Sequence, residues 1–252
     1  MESLYYINRK LIVLFVLFIG ILATIGVYNL NTRGVILGEQ RKIPIYSVDT
    51  KEKKIAITFD ASWGEDKTDE ILEVLDKYNV KATFFVVGAW IDQHPVKLKT
   101  IHEKGHEIGN HSNRHPILTT ISKEEIIKDI ATADAKIMSL IGQGTTLYRC
   151  PSGEYNDLVI ETVENTKHYC IQWDVDSIDW KEEGAEIEYS RIIKNTKPGS
   201  ILLFHNNAKY TPENLPRIIE NLKAQGYEFV KTSELIYKDN YYINHLGKQI
   251  QK

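Results

Sequence analysis

From residue 54 onward, short apolar runs alternate with stretches in which apolar residues recur every three or four positions. Residues 54–59 (Lys-Ile-Ala-Ile-Thr-Phe) read as a buried strand. Residues 67–78 then place Ile71, Leu72, Val74 and Leu75 on one side of an amphipathic helix. The same alternation predicts further strands at 82–87, 107–110, 147–150, 169–175, 200–204 and 227–230, with helices at 95–104, 122–141, 157–165, 185–195 and 212–225. Pro95 suits a first helical turn, and Ser122 with Glu125 three positions on forms a capping box. Strands alternating with helices imply parallel βαβ units with right-handed crossovers, hence an α/β fold of about seven parallel strands. A barrel and an open doubly wound sheet both satisfy this pattern. With no dinucleotide-binding or P-loop glycine pattern in the chain, the barrel is favoured and a nucleotide cofactor is not expected.

The N-terminus follows a different pattern. Residues 11–30 carry no charge and are apolar except at Gly20, Thr24, Gly26 and Asn29, a run long enough to cross a hydrocarbon core of roughly 30 Å as a helix. Arg9 and Lys10 before it favour a cytoplasmic N-terminus, although Arg33 opposes that bias. A cleavable signal peptide is the competing reading. The run exceeds the usual signal core and no small-x-small cleavage site follows it, so an uncleaved transmembrane anchor is expected. The chain then divides into a cytoplasmic stub (1–10), a transmembrane helix (11–30) and a linker or leading edge strand with Gly34, Gly38 and Pro44 (31–53). A folded domain (54–237) and a polar, tyrosine-containing peripheral tail (238–252) follow. The protein is thus expected at the cell membrane, single-pass, with its folded domain outside the cytoplasm; a cleaved, secreted form is the alternative.

Composition narrows the function classes. A net charge of −3 over 252 residues offers no basic surface for nucleic acid, and 42% hydrophobic residues are enough for one large globular core. Two cysteines, Cys150 and Cys170, cannot make a disulfide framework; each lies in or beside an apolar segment and reads as a buried free thiol.

Catalytic residues of α/β barrels lie at the C-terminal ends of the strands. Here those ends carry Asp60, then His111 and His115, then Arg149 with Pro151, Gly153 and Tyr155, then Asp176, Asp179 and Trp180, and finally His205. Two imidazoles four residues apart can reach one divalent metal and leave other positions open. A metal polarises an amide carbonyl and lowers the pKa of bound water toward about 7. A carboxylate takes the water proton, a cation keeps that carboxylate ionised, and a histidine paired with an aspartate can protonate a leaving amine. Taken singly, each residue has a plainer role: Asp60 as a helix cap, Arg149 as a surface ion pair, Asp179-Trp180 as a turn with an anchor. Five such clusters at successive strand ends favour the chemical reading. His94, His102, His106, His168 and His245 lie outside the clusters and read as surface or structural.

In chain order, Thr58-Phe59-Asp60, His111-Ser-Asn-Arg-His115, Arg149-Cys-Pro-Ser-Gly153, Asp176-Ser-Ile-Asp179-Trp180 and Leu202-Leu-Phe-His205 resemble the five motifs of the polysaccharide deacetylases, also called the NodB-homology domain. The resemblance covers residues 54–237. Asp60-Ala-Ser-Trp-Gly64 and the apolar N-terminus look most like the membrane-anchored, sporulation-type members. The resemblance implies a distorted (β/α) barrel that hydrolyses N-acetyl groups on aminosugars of peptidoglycan or a related cell-wall or spore glycan. It also implies one divalent metal, zinc first among the candidates. By the same resemblance Asp60 would be the general base, His111 and His115 metal ligands, and Arg149 the holder of the base carboxylate. Asp179 would tune His205, the general acid, and Trp63, Tyr155 and Trp180 would line the sugar cleft. One position departs: the family's usual third ligand, an aspartate directly after the base, is Ala61. A methyl group cannot coordinate, which predicts weak metal binding. Glu65, Asp66 and Asp69 lie beyond Gly64, at the start of the next helix, and are not expected to fill the place. The alternative expectation is a deacetylase-like glycan-binding or envelope-assembly protein with little turnover. The paired acid and base favour the enzyme.

Overall fold

The computed structural model describes residues 11–21, 41–64 and 66–252. The expected cytoplasmic stub, the second half of the expected transmembrane run and the first part of the linker lie outside the described residues. Residues 11–21 form a helix, α1, whose apolar side chains are exposed throughout. Eleven residues rise roughly 16 Å, and among the described residues no helix is long and apolar enough to cross a membrane.

Residues from Lys42 to Lys252 form one compact unit. Its strands are β1 (Ser47–Val48), β2 (Lys54–Ala61), β3 (Thr83–Val86), β4 (Glu107–Asn110), β5 (Leu147–Tyr148), β6 (Tyr169–Cys170), β7 (Val175–Asp176), β8 (Ile201–His205), β9 (Glu228–Phe229), β10 (Tyr241–Ile243) and β11 (Lys248–Gln251). The helices between them are α2 (Thr68–Lys77), α3 (Gly88–Gln93), α4 (Pro95–Glu103), α5 (Lys123–Ile141), α6 (Asp157–Asn165), α7 (Ala185–Asn195), α8 (Thr211–Ala224) and α9 (Thr232–Leu235). The main sheet runs β6-β5-β4-β3-β2-β8-β7, with β9 also on β2, and every pairing is parallel. The expected capping box is present on α5, where Ser122 accepts from Glu125 N, and Gly142 ends the helix at φ 69°.

The alternation in β2 explains how the strand serves two layers. Ile55, Ile57, Phe59 and Ala61 join an apolar cluster with Ile71, Leu72 and Leu75 of α2 and Leu215, Ile218 and Leu222 of α8. Each fully buried side chain of this kind contributes about 1.5–3 kcal/mol. The residues between them, Thr58 and Asp60, face inward and meet Arg149.

The expected single strand at 169–175 divides in two. Its first residues pair with β5 at one edge of the sheet, and its last pair with β8 at the other. Seven strands laid flat would separate those edges by about 29 Å. The connection from Cys170 to Val175 can reach only ~17 Å even when fully extended. The sheet must therefore curl, and it forms a partial barrel whose seam is spanned by four residues instead of a ladder. The segment read as a peripheral tail also has a place: β10 and β11 form a hairpin, and β11 pairs with β1. Fully buried Gln249 ties this small sheet to Tyr237 by bonding both its N–H and its carbonyl.

Candidate active site

Two groups of polar residues meet at the C-terminal rim of the sheet. The first is built around Asp60, near the end of β2 and 5% exposed. Arg149, fully buried just after β5, donates from Nη1 to Asp60 Oδ1 at 2.7 Å and to Thr58 Oγ1 at 2.9 Å, and from Nη2 to the Gln172 carbonyl at 3.2 Å. Its guanidinium lies 4.0 Å from the centre of the Phe85 ring, a cation–π contact out of water. Burial alone would raise the Asp60 pKa, but Arg149, and then His111 and His205, outweigh it and hold the carboxyl below its usual range.

His111 follows β4. Its Nδ1 sits 2.9 Å from the Arg149 carbonyl, which can only accept, so Nδ1 carries the proton and Nε2 keeps a free lone pair. That Nε2 is 3.4 Å from Asp60 Oδ2. Burial lowers the His111 pKa and so favours the neutral ring, the state a metal ligand needs. The loop then folds back tightly. Ser112 and His115 adopt left-handed φ values of 74° and 56°, and Ser112 Oγ accepts from His115 N at 2.6 Å. Asn110, fully buried, accepts from Ser112 N at 2.7 Å and anchors itself to the Ile130 carbonyl of α5. The result sets the His115 ring edge-on to His111, centroids 4.9 Å apart, and the Trp63 ring also packs edge-on against His115 at 4.6 Å. Burial, together with the neighbouring His111, lowers the His115 pKa to about 4.

The second group is built around His205 at the end of β8, directly across the ladder from Asp60. Asp179 grips it twice: Oδ1 lies 2.7 Å from His205 Nδ1, and Oδ2 accepts from the His205 backbone N–H at 2.7 Å. Thr211 Oγ1 adds a third contact to Asp179 Oδ2 at 3.1 Å. Ile178, just before Asp179, has φ 57°, a strained conformation for a β-branched residue that the surrounding turn enforces. Burial by itself would lower the His205 pKa, but Asp179, and then Asp60, overcome it and raise the value. The imidazolium is therefore favoured, and its Nε2–H is the donor left for a ligand.

Both groups open on one cavity of about 460 Å³, with Trp63 (60% exposed) and Trp180 (58%) on its rim. Ser62, Ser152, Trp173, Asp176 and Asn207 also line it; Ser62, Ser152 and Asp176 lie within motifs legible in the sequence, Trp173 and Asn207 outside them. Tyr155 does not line it, against expectation. The 3-10 turn Pro151–Gly153 passes through Ser152 at φ 55°, and Tyr155 beyond it bonds through its hydroxyl to Tyr46 Oη at 3.1 Å.

The donor set suits a metal in part. The His111 tautomer and the neighbouring His115 ring fit a divalent cation, but among the described residues no group of three His, Cys, Asp or Glu side chains is poised to hold one. Asp66 is committed elsewhere, accepting from Lys97 Nζ at 2.9 Å, Trp90 Nε1 at 2.7 Å and Thr68 N at 2.9 Å. Asp69 pairs with Lys97 at the surface, and Glu65 lies outside the described residues. Ala61 is buried in the helix-facing cluster, and it is Ser62 that reaches the cavity. Elsewhere, His106 and His168 are buried and structural, the first accepting from Ala82 N, the second bonded to Thr145. Cys150 and Cys170 are buried free thiols, 3.6 Å apart.

The polysaccharide deacetylase family model matches residues 47–171. The peptidoglycan-N-acetylmuramic acid deacetylase PdaA of Bacillus subtilis is 34% identical over 197 residues, 77% of this chain and 75% of that protein. The solved structure of Bacillus subtilis PdaA, a family 4 carbohydrate esterase, superposes with a TM-score of 0.73 at 32% identity, covering 76% of this chain and 84% of that one. A family 4 pseudoenzyme from Bacillus anthracis matches with the same TM-score at 34% identity, over 76% of this chain and 68% of that one.

Proposed function

This chain belongs to the polysaccharide deacetylase family, hydrolases that cleave the amide bond of N-acetylated sugars, and we propose that its own substrate is peptidoglycan or a related cell-wall or spore glycan. One observation carries the reading: a carboxylate held ionised by Arg149 and an imidazole held protonated by Asp179 sit on paired residues of adjacent strands and open on one cavity. A protein that only binds glycan needs neither the charged base nor the paired acid.

In this reading the pyranose ring packs between Trp63 and Trp180, whose exposed faces flank the cavity. His111 and His115 would hold one divalent metal, zinc first, whose chemistry is to polarise the acetyl carbonyl and to acidify a water. Asp60, kept ionised and fixed in place by Arg149, would act as the base toward the attacking water. His205 then protonates the departing sugar amine from Nε2, because Nδ1 is committed to Asp179. The N-terminal apolar run anchors the protein in the membrane, with the domain outside the cytoplasm. Support comes from the uncharged sequence of residues 11–30 and the exposed apolar side chains of α1, which water would not favour.

Acetate release from N-acetylated peptidoglycan by the full chain, with and without added divalent metal, tests the proposal. Activity should vanish in Asp60→Asn and His205→Ala. A second reading, a glycan-binding protein without turnover, has specific support in Ala61 and in the lack of a third protein ligand among the described residues. Glycan binding with no acetate release under any metal would establish it.

A further inference from the structure

Behind Asp179 lies a second carboxyl that the reaction as described does not use. Glu188, on the first turns of α7, is 3% exposed, and its Oε1 lies 3.1 Å from Thr211 Oγ1. Thr211 is itself fully buried and contacts Asp179 Oδ2 at the same 3.1 Å. A hydroxyl has one proton, so Thr211 can donate to only one of these two carboxyl oxygens. The other contact needs a proton from the carboxyl side. Asp179 cannot supply it readily: both its oxygens already accept from His205, one from the ring and one from the backbone. Glu188 can, since its Oε2 has no hydrogen-bond partner among the described residues and an ionised Glu188 would leave a buried charge bare.

We propose that Glu188 is a positioning residue for the acid half of the site: as a neutral acid it donates to Thr211, turns that hydroxyl onto Asp179, and so keeps Asp179 aimed at His205. The chain of donors runs Glu188 to Thr211 to Asp179, and each hydrogen bond polarises the next. Burial, with Asp179 adding to it, raises the Glu188 pKa to about 7, while Thr211, Asn214 and the Arg217 guanidinium pull the other way. Among the described residues these influences come from the Asp179 turn and from α8, the elements packed against Glu188. Glu188 and His205 are joined through Thr211 and Asp179, so each feels the charge state of the other. A negative charge appearing on Glu188 makes His205 harder to deprotonate and stretches its titration.

The proposal rests on the deacetylase reading for its catalytic meaning, but its first test does not need turnover. The His205 ring is followed by histidine-selective NMR in the full chain across pH 5–9. The wild-type curve should be stretched, and Glu188→Gln, which keeps a donor but cannot ionise, should give a single ordinary proton step. Kinetics form the second arm. Glu188→Leu should lower kcat about tenfold with KM unchanged, as expected for loss of one well-made contact to a charged residue, and Glu188→Gln should restore most of that loss. An unstretched wild-type titration identical to that of Glu188→Gln, or Gln and Leu variants equally impaired, would overturn the proposal. Absence of acetate release from the wild type would defeat the deacetylase reading alone and leave the titration to decide the role of Glu188.

Discussion

Replacing Arg149 with Met removes the one cation that, among the described residues, donates a hydrogen bond to Asp60, while keeping most of the volume and the contact with Phe85. The carboxylate left behind is 5% exposed, with His111 Nε2 3.4 Å from its Oδ2. Breaking a buried pair in this way costs about 3–5 kcal/mol. The sign depends on pH. In the wild type the Asp60 pKa is depressed, so its contribution is present above the unfolded carboxylate value of about 4 and is lost as pH falls. In the variant, burial acts unopposed by Arg149 and raises the Asp60 pKa. The penalty is then largest at pH 7 and shrinks toward pH 4, where the carboxyl takes up a proton instead. Urea denaturation followed by tryptophan fluorescence at pH 4.5 and pH 7 measures both differences. Adding Asp60→Asn to Arg149→Met should recover most of the loss at pH 7, since no buried charge remains. A cost below about 1 kcal/mol at pH 7, or one unchanged by the second substitution, would refute the claim that Arg149 exists to hold this charge.

Three further outcomes follow from the same geometry. Asp179→Asn removes the chief influence that raises the His205 pKa, leaving burial less strongly opposed; the alkaline limb of the kcat/KM profile should move to lower pH, with kcat at pH 7.5 down about a hundredfold. His111→Ala should weaken zinc binding more than about tenfold by calorimetry, because two imidazoles are the donors in reach and one would be gone; equal affinity in the variant would remove His111 from the metal site. Gly109→Ala would put a methyl 2.5 Å from the Phe85 ring, on which the Arg149 guanidinium rests, so the variant should lose about 1–3 kcal/mol of stability and some activity, both measurable without any ligand.

The parts of the site visible in the sequence are those fixed by strand ends. Asp60, His111, Arg149 and His205 stand at or just past the ends of apolar runs, and a parallel sheet must bring such ends to one rim. What escaped notice depends on neighbours distant in the chain. Thr58 looks like an ordinary strand residue until Arg149 arrives from the end of β5 to bond it. Thr211 and Glu188 look like polar helix residues, and their burial follows from how α7 and α8 pack, which periodicity alone does not state. Tyr155 follows a left-handed Ser152 and bonds to Tyr46, a partner more than a hundred residues away that its place after Arg149 does not state. Residues 169–175 read as one strand because their apolar pattern is continuous, although the two ends serve opposite edges of the sheet.

The strand order also divides the site in time. β2 to β5 are consecutive in the sequence and adjacent in the sheet, so a chain emerging from the N-terminus can assemble Asp60, His111, His115 and Arg149 as soon as β5 is available. Asp179, in the turn after β7, and His205, at the end of β8, arrive only when those strands close on the far side of β2, some fifty more residues on. The base half is thus a local product of one continuous segment, and the acid half joins it across a pairing more than 140 residues apart. A chain interrupted before β8 would carry a charged, hydrogen-bonded Asp60 with nothing opposite it, and would be unable to complete the reaction.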